Sequence, residues 1–240
     1  MAQTVAETFT QVKAASTTRE RTTMTEELIK GTGGSLFVRT WRPAGKARGV
    51  VAIVPGFNSH SGHYLWAGDQ LAASGLAVYA VDLRGRGKSD GERFYIDSID
   101  DYVADVSVTI EHARAKHPEL PVYLLGHSAG GVTSTTYALD HQDRIDGLIC
   151  ESFAFRVFAP NLALKLLEGA SHIVPHAHVL RLKMEDFSRD PEWVAQLNAD
   201  PLTLDEVQPV STVAAFARAG ERFEREFGRI TLPVFLRSSR

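Results

Sequence analysis

The sequence predicts an α/β protein, with a mostly parallel central sheet covered by helices on both faces. Two observations carry this. Short, continuous apolar runs recur through the first 152 of the 240 residues, and amphipathic segments that stop at Gly or Pro separate them. Strands that are apolar throughout belong in a sheet buried on both sides, and alternation with helices supplies the cover. The length suits one large domain, and no internal repeat or low-complexity segment interrupts it.

The elements follow in order. SLFVRTW (35–41) reads as a strand and GVVAIVP (49–55) as a second, fully buried one. HYLWAGDQLAASG (63–75) has apolar spacings of three and four and stops at Gly75, as a helix does. LAVYAVD (76–82) is again a buried strand, and RGRGKSDGE (84–92) a Gly-rich loop. IDDYVADVSVTIEHARAKHP (99–118) is an amphipathic helix ended by Pro118. PVYLLG (121–126) is a strand, VTSTTYALDH (132–141) a helix and GLICES (147–152) a strand. The rhythm breaks at Phe153. Residues 153–215 are helix-prone, Pro-interrupted and expected to hold no strand, which suggests a cap laid over the sheet. A helix at 213–227 and the strand ITLPVFL (230–236) resume the pattern. The predicted division is a disordered, Thr-rich tail at 1–23, a core segment at 24–152, a helical cap at 153–212 and a second core segment at 213–240. Met24 is an alternative start, because ordered-looking sequence begins just after it.

Composition narrows the function classes. A net charge of −3 gives no basic footprint for nucleic acid. Cys150 is the single cysteine, which excludes an internal disulfide framework and suits a reducing, cytoplasmic setting. No apolar run reaches the roughly 18 residues of a membrane span, and the N-terminus lacks the apolar stretch of a secretory signal.

The chemistry centres on YLLGHSAGG (123–131). Gly-x-Ser-x-Gly is weak alone, but here it follows a strand and opens a helix. A turn that tight requires Gly126 and Gly130 to lack side chains and lifts Ser128 above the carboxyl end of the sheet as a nucleophile. The Ala129 N–H at the helix start then faces the developing oxyanion. The second donor is expected after the second strand, in VPGFNSHSGHY (54–64), from the Phe57 N–H that follows the Pro55-Gly56 turn. His60 and His63 stand at H-x-x-H spacing on that loop with no third ligand evident, so no metal is expected.

These stretches, with VDLRGRGKSDGERF (81–94) and FSRDPEWVAQLNADPL (187–202), resemble the monoacylglycerol-lipase-like branch of the α/β-hydrolase superfamily, which includes lysophospholipase-like and serine-aminopeptidase-like proteins. The resemblance runs in order from residue 26 to 236. It implies an α/β-hydrolase fold and a carboxylic ester hydrolase acting on medium or long acyl chains of a small lipid ester. It implies a helical cap over an acyl tunnel, no cofactor, and Asp82 to Gly91 as scaffold beside the site. Leu162, Leu164, Leu167 and Ile173 of the cap are the expected tunnel lining, with transient contact of the cap with a membrane surface.

Serine hydrolysis also needs a base and a carboxylate to orient it. In the resembling family the acid follows the strand that reads here ITLPVFL, and the His comes after one more strand. The chain reads RSSR after that strand, so both are expected beyond residue 240, with the last core strands and helix. Either the reading frame is interrupted or the chain is a piece of a longer protein. On that expectation turnover by these 240 residues is impaired, and ITLPVFL becomes an apolar edge that invites dimerisation or aggregation. Within the chain, His141, His172, His176 and His178 follow Ser128. His141 lies at the far end of the helix, about 20 Å away at 1.5 Å per residue, and the other three lie in the cap. Glu151, which closes GLICES, is the internal alternative for the acid. Two rival readings stay open: a catalytically inactive acyl-binding homologue, and a different serine hydrolase such as a peptidase or haloperoxidase.

Overall fold

The structure is a computed structural model, and it describes residues 22–153 and 167–237. The strands are β1 (Thr23–Lys30), β2 (Ser35–Arg42), β3 (Val50–Val54), β4 (Ala77–Val81), β5 (Val122–His127), β6 (Gly147–Glu151), β7 (His178–Arg181), β8 (Val207–Pro209) and β9 (Val234–Arg237). The helices are α1 (Leu65–Ala73), α2 (Ile99–Lys116), α3 (Ala129–His141), α4 (Pro191–Ala199) and α5 (Val210–Glu226).

Among the described residues, seven strands form one sheet in the order β1-β2-β4-β3-β5-β6-β9. β1 and β2 pair antiparallel, as do β2 and β4, and every pairing from β4 to β9 is parallel. The VVAIV and AVYAV runs of β3 and β4 are buried at every position, as strands covered on both faces must be. Trp41 of β2 is fully buried beneath α1. Gly68 permits this contact, since a Cβ there would fall 2.4 Å from the indole. Helix α2 starts in a capping box between Ser98 and Asp101 and buries Ile99, Tyr102, Val106 and Ile110. Helix α3 is buried from Ala129 to Leu139, so its Thr135 and Thr136 hydroxyls turn back to the Val132 carbonyl (2.9 and 2.8 Å).

Several expectations need correction. Residues 153–215 are not free of strands: β7 and β8 form a two-stranded antiparallel sheet with an irregularity between His178 and Leu180. Strands of four and three residues beside Pro175 and Pro209 are too short to show a period of two. β1 had no strand assignment, because TMTEELIK is polar and exposed along most of its length. The helix predicted from His63 begins at Leu65, after a 3₁₀ turn over Ser61–Tyr64, and the one predicted from Val132 begins at Ala129.

The strand order places the site. The chain leaves β3 for β4 on one side and returns to β5 on the other. The loops after β3 and β5 therefore part in opposite directions, and a crevice opens at their carboxyl ends. The last paired residues there are Val54 and Gly126.

Candidate active site

Ser128 sits between β5 and α3 with φ 53° and ψ −121°, a left-handed conformation that a non-glycine residue holds only under strain. The surrounding structure fixes it. The Ser128 N–H donates to the Glu151 carbonyl of β6 (2.9 Å), and its own carbonyl accepts from Gly131 (2.9 Å). A Cβ at Gly130 would fall 2.0 Å from the Val54 carbonyl oxygen, and one at Gly126 2.5 Å from the Gly130 carbonyl oxygen. This is the side-chain-free turn that the motif demands.

The loop after β3 abuts the turn at Gly56. Among the described residues, the Phe57 N–H has no protein acceptor. Ala129 opens α3, so its N–H has no helical acceptor either. A cavity of about 350 Å³ opens here, lined by Phe57, Asn58, Ser59, His63, Tyr64, Ala67, His127, Ser128 and Glu151 below and by Leu182, Met184, Phe187, Ser188, Trp193 and Leu197 above. Its size suits an acyl ester or drug-sized ligand.

The expected site residues fare differently. Ser128, Phe57 and Glu151 converge on the cavity. The Glu151 side chain is half-exposed and 3.7 Å from the Arg237 guanidinium. Leu162 and Leu164 lie outside the described residues. Leu167 is half-buried and Ile173 is 81% exposed, and neither is among the cavity lining; the walls come instead from residues 182–197. No imidazole after Ser128 reaches the cavity among the described residues. His176 pairs with Glu92 (2.7 Å) and stacks on Tyr95, and His141 packs on Tyr137.

Two imidazoles do line it: His127, which sequence reasoning gave no role, and His63, which it placed only in the H-x-x-H pair. His127 Nδ1 and the Tyr64 hydroxyl are 3.1 Å apart. Burial lowers the His127 pKa, and burial raises that of Tyr64, so both sit neutral near pH 7. His63 meets a partner that spacing did not reveal: Asp200, just past α4, receives His60 Nε2 (2.8 Å) and His63 Nε2 (2.9 Å) on one carboxylate oxygen. Burial and the neighbouring His60 lower the His63 pKa. Burial alone would raise Asp200, but the hydrogen bonds from His60, the Leu202 N–H and His63 hold it at about 2.

The loop after β4 anchors the same region from below. Buried Asp82 accepts the Ser61 N–H (2.7 Å) and the Lys88 N–H (2.9 Å). Arg86 is buried with Glu206 (2.5 Å), Gln208 (2.8 Å) and the Tyr102 hydroxyl (2.7 Å), its guanidinium 4.8 Å from the centre of the Phe57 ring.

Comparison with known proteins gives a consistent result. The Hydrolase_4 family, described as serine aminopeptidase, S33, matches residues 45–240. The monoacylglycerol lipase of Mycolicibacterium smegmatis is 29% identical over 217 residues, covering 89% of this chain and 78% of its own. The monoglyceride lipase of Rattus norvegicus is 29% identical over 212 residues, covering 87% and 70%. Among solved structures, the monoacylglycerol lipase of Paleococcus ferrophilus superimposes with a TM-score of 0.74 at 29% identity, over 84% of this chain and 76% of that one. A thermostable carboxyl esterase from Bacillus coagulans gives 0.77 at 20% identity, over 88% and 78%, a likeness of fold.

Proposed function

Because the chain belongs to the serine aminopeptidase S33 family and has the α/β-hydrolase fold, we propose that it is a carboxylic ester hydrolase of the monoacylglycerol-lipase type, with Ser128 as nucleophile. The observation that carries the reading is the strained Ser128 in the lining of an aromatic-walled cavity shared with Phe57, whose N–H has no protein acceptor among the described residues. A general base takes the Ser128 Oγ proton as the oxygen attacks the ester carbonyl, the Phe57 and Ala129 N–H groups receive the negative charge on the carbonyl oxygen, and the base returns the proton to the alcohol, which leaves. Water then releases the acid from the acyl-enzyme. Phe187, Trp193, Leu182, Met184 and Leu197 take the acyl chain. The relatives named as monoacylglycerol and monoglyceride lipases favour a lipid monoester over a peptide.

Release of fatty acid from a monoacylglycerol, together with labelling of the protein by a fluorophosphonate, tests this. Both should vanish in Ser128→Ala. Labelling that persists in Ser128→Ala would overturn Ser128 as nucleophile, and a protein that carries the base and acid yet binds the ester without cleaving it would replace the proposal with an acyl-binding role.

A further inference from the structure

We infer that Asp200 and Glu206, on the limb that leaves α4, are positioning residues that set the Phe57 N–H for the oxyanion; the inference rests on Ser128 being the nucleophile. The loop from Gly56 to Tyr64 is ordered at its far end but not by itself around the Phe57 amide. Ser61–Tyr64 close a 3₁₀ turn, entered by the His63 N–H to the His60 carbonyl (3.0 Å), but residues 56 to 59, which carry the Phe57 amide, make no backbone–backbone hydrogen bond with one another. A stretch without such bonds takes its shape from outside partners. Here they are three carboxylates. Asp82 holds the Ser61 N–H (2.7 Å), Glu206 holds the Asn58 N–H (2.9 Å), and Asp200 holds both imidazoles (2.8 and 2.9 Å).

Glu206 acts next to the donor itself. Asn58 is left-handed, with φ 49°, and its N–H is taken by the buried Glu206–Arg86 pair. Of the two successive amides, only that of Phe57 is left without a protein acceptor among the described residues. The Phe57 ring is clamped in turn, 4.6 Å from the Phe216 ring and 4.8 Å from the Arg86 guanidinium. Asp200 fixes the other end of the loop, 137 residues from His63 in sequence.

A metal is the rival occupant of the His60, His63 and Asp200 cluster, whose donor atoms lie within 4.8 Å of one another. The proton pattern argues against it. His60 Nδ1 accepts the Gly62 N–H (3.1 Å), so that nitrogen is bare and the proton sits on Nε2, the atom facing Asp200. A metal-bound imidazole has the opposite arrangement, donating from its outer nitrogen. With neutral rings donating from Nε2, His60 is satisfied at both nitrogens. His63 Nδ1 likewise has the Ser59 hydroxyl at 3.2 Å. The cluster is therefore a brace built of hydrogen bonds.

The test compares the unaltered protein with Asp200→Ala, Asp200→Asn and His63→Ala, reading kcat and KM on a short p-nitrophenyl ester, the rate of fluorophosphonate labelling, and Tm. Loss of one oxyanion donor costs about 10²–10³ in kcat, and misplacing one should cost about 10-fold or more. Asp200→Ala and His63→Ala should lose that much in kcat and labelling rate, and Asp200→Ala should keep KM within about twofold, because Asp200 is not part of the cavity lining. Asp200→Asn keeps an acceptor oxygen and should recover part of the loss. His63→Ala leaves the Asp82 and Glu206 anchors intact and serves if Asp200→Ala does not fold. Unchanged kcat in both alanine variants, or a loss confined to KM, would overturn the positioning role alone. Label that survives Ser128→Ala, or a protein carrying the base and acid that takes no label, would overturn the nucleophile reading and this inference with it.

Discussion

Gly56 and Ser128 meet where the loops after β3 and β5 converge. A Cβ on Gly56 would lie 3.0 Å from the Ser128 Cβ and 2.9 Å from the His127 carbonyl oxygen. Ser128 and the loop after β3 are thus packed closely across a residue with no side chain. Gly56→Ala should push the loop away, costing about 1–3 kcal/mol in stability as overpacking does. The rate of Ser128 labelling should fall by more than the stability loss explains. Urea unfolding and labelling kinetics on the same preparation check this, and equal labelling rates would count against the contact.

Arg86 and Glu206 form a buried pair, with side chains 3% and 1% exposed. Removing one member leaves the other charge without compensation. Arg86→Met should destabilise the fold by about 3–5 kcal/mol, and Arg86→Met with Glu206→Gln by less. Chemical unfolding of the single and double variants measures the difference.

Acid should weaken the brace between Asp200 and the loop after β3. Asp200 is held at about 2, below its ordinary 3.8, so its stabilisation is present above pH 4 and lost as the pH falls towards 2. His63 is shifted down from 6.5, so the unfolded chain binds its proton more readily and stability also declines below about pH 6.5. Tm should therefore fall monotonically from pH 7 to pH 3, and less steeply in Asp200→Asn. A Tm that rises on acidification would contradict the described partners.

Cys150 lies in the core on β6, and burial pushes its thiol up to about 12. Native protein should react with a disulfide reagent only at the rate of unfolding, and one thiol should appear on adding denaturant. Fast native titration would place β6 elsewhere.

The cavity walls predict a preference for longer acyl chains. Each buried CH₂ contributes about 0.8 kcal/mol, roughly fourfold in kcat/KM. Octanoyl esters should exceed acetyl esters by well over tenfold, and Trp193→Ala should flatten the series. A flat or falling series in the unaltered protein would argue against acyl binding at this wall.

The parallel strands and the turn at Ser128 were legible because local signals specify them. Continuous apolar runs mark buried strands, and glycines flank a serine between strand and helix. The partners of the oxyanion loop were not legible. His60 and His63 show their spacing in sequence, but Asp200 and Glu206 join that loop only through tertiary packing, and neither stands in a local motif. The acyl wall went astray for a related reason. Ile173 looked like lining because it is apolar, yet it is exposed, while Phe187 and Trp193, in a mixed-polarity stretch, face the cavity. Hydropathy reports that a residue prefers burial, and its neighbours in space decide whether it gets it.

The crossover that places β5 beside β3 also sets the order of events during synthesis. β3 pairs Val50 with Val122 in β5, β6 pairs Leu148 with Val234 in β9, and Glu206 receives the Asn58 amide. A ribosome adding about 5–20 residues per second presents Asn58 several seconds or more before Glu206. β3 has its second neighbour only once residues 122–126 emerge, and β6 waits for β9 until residue 234, and such long-range pairings make folding slow. Chaperone dependence and low refolding yield at high protein concentration are the expected cellular and laboratory signatures of this topology, and the oxyanion loop should be among the last regions to gain protection from hydrogen exchange.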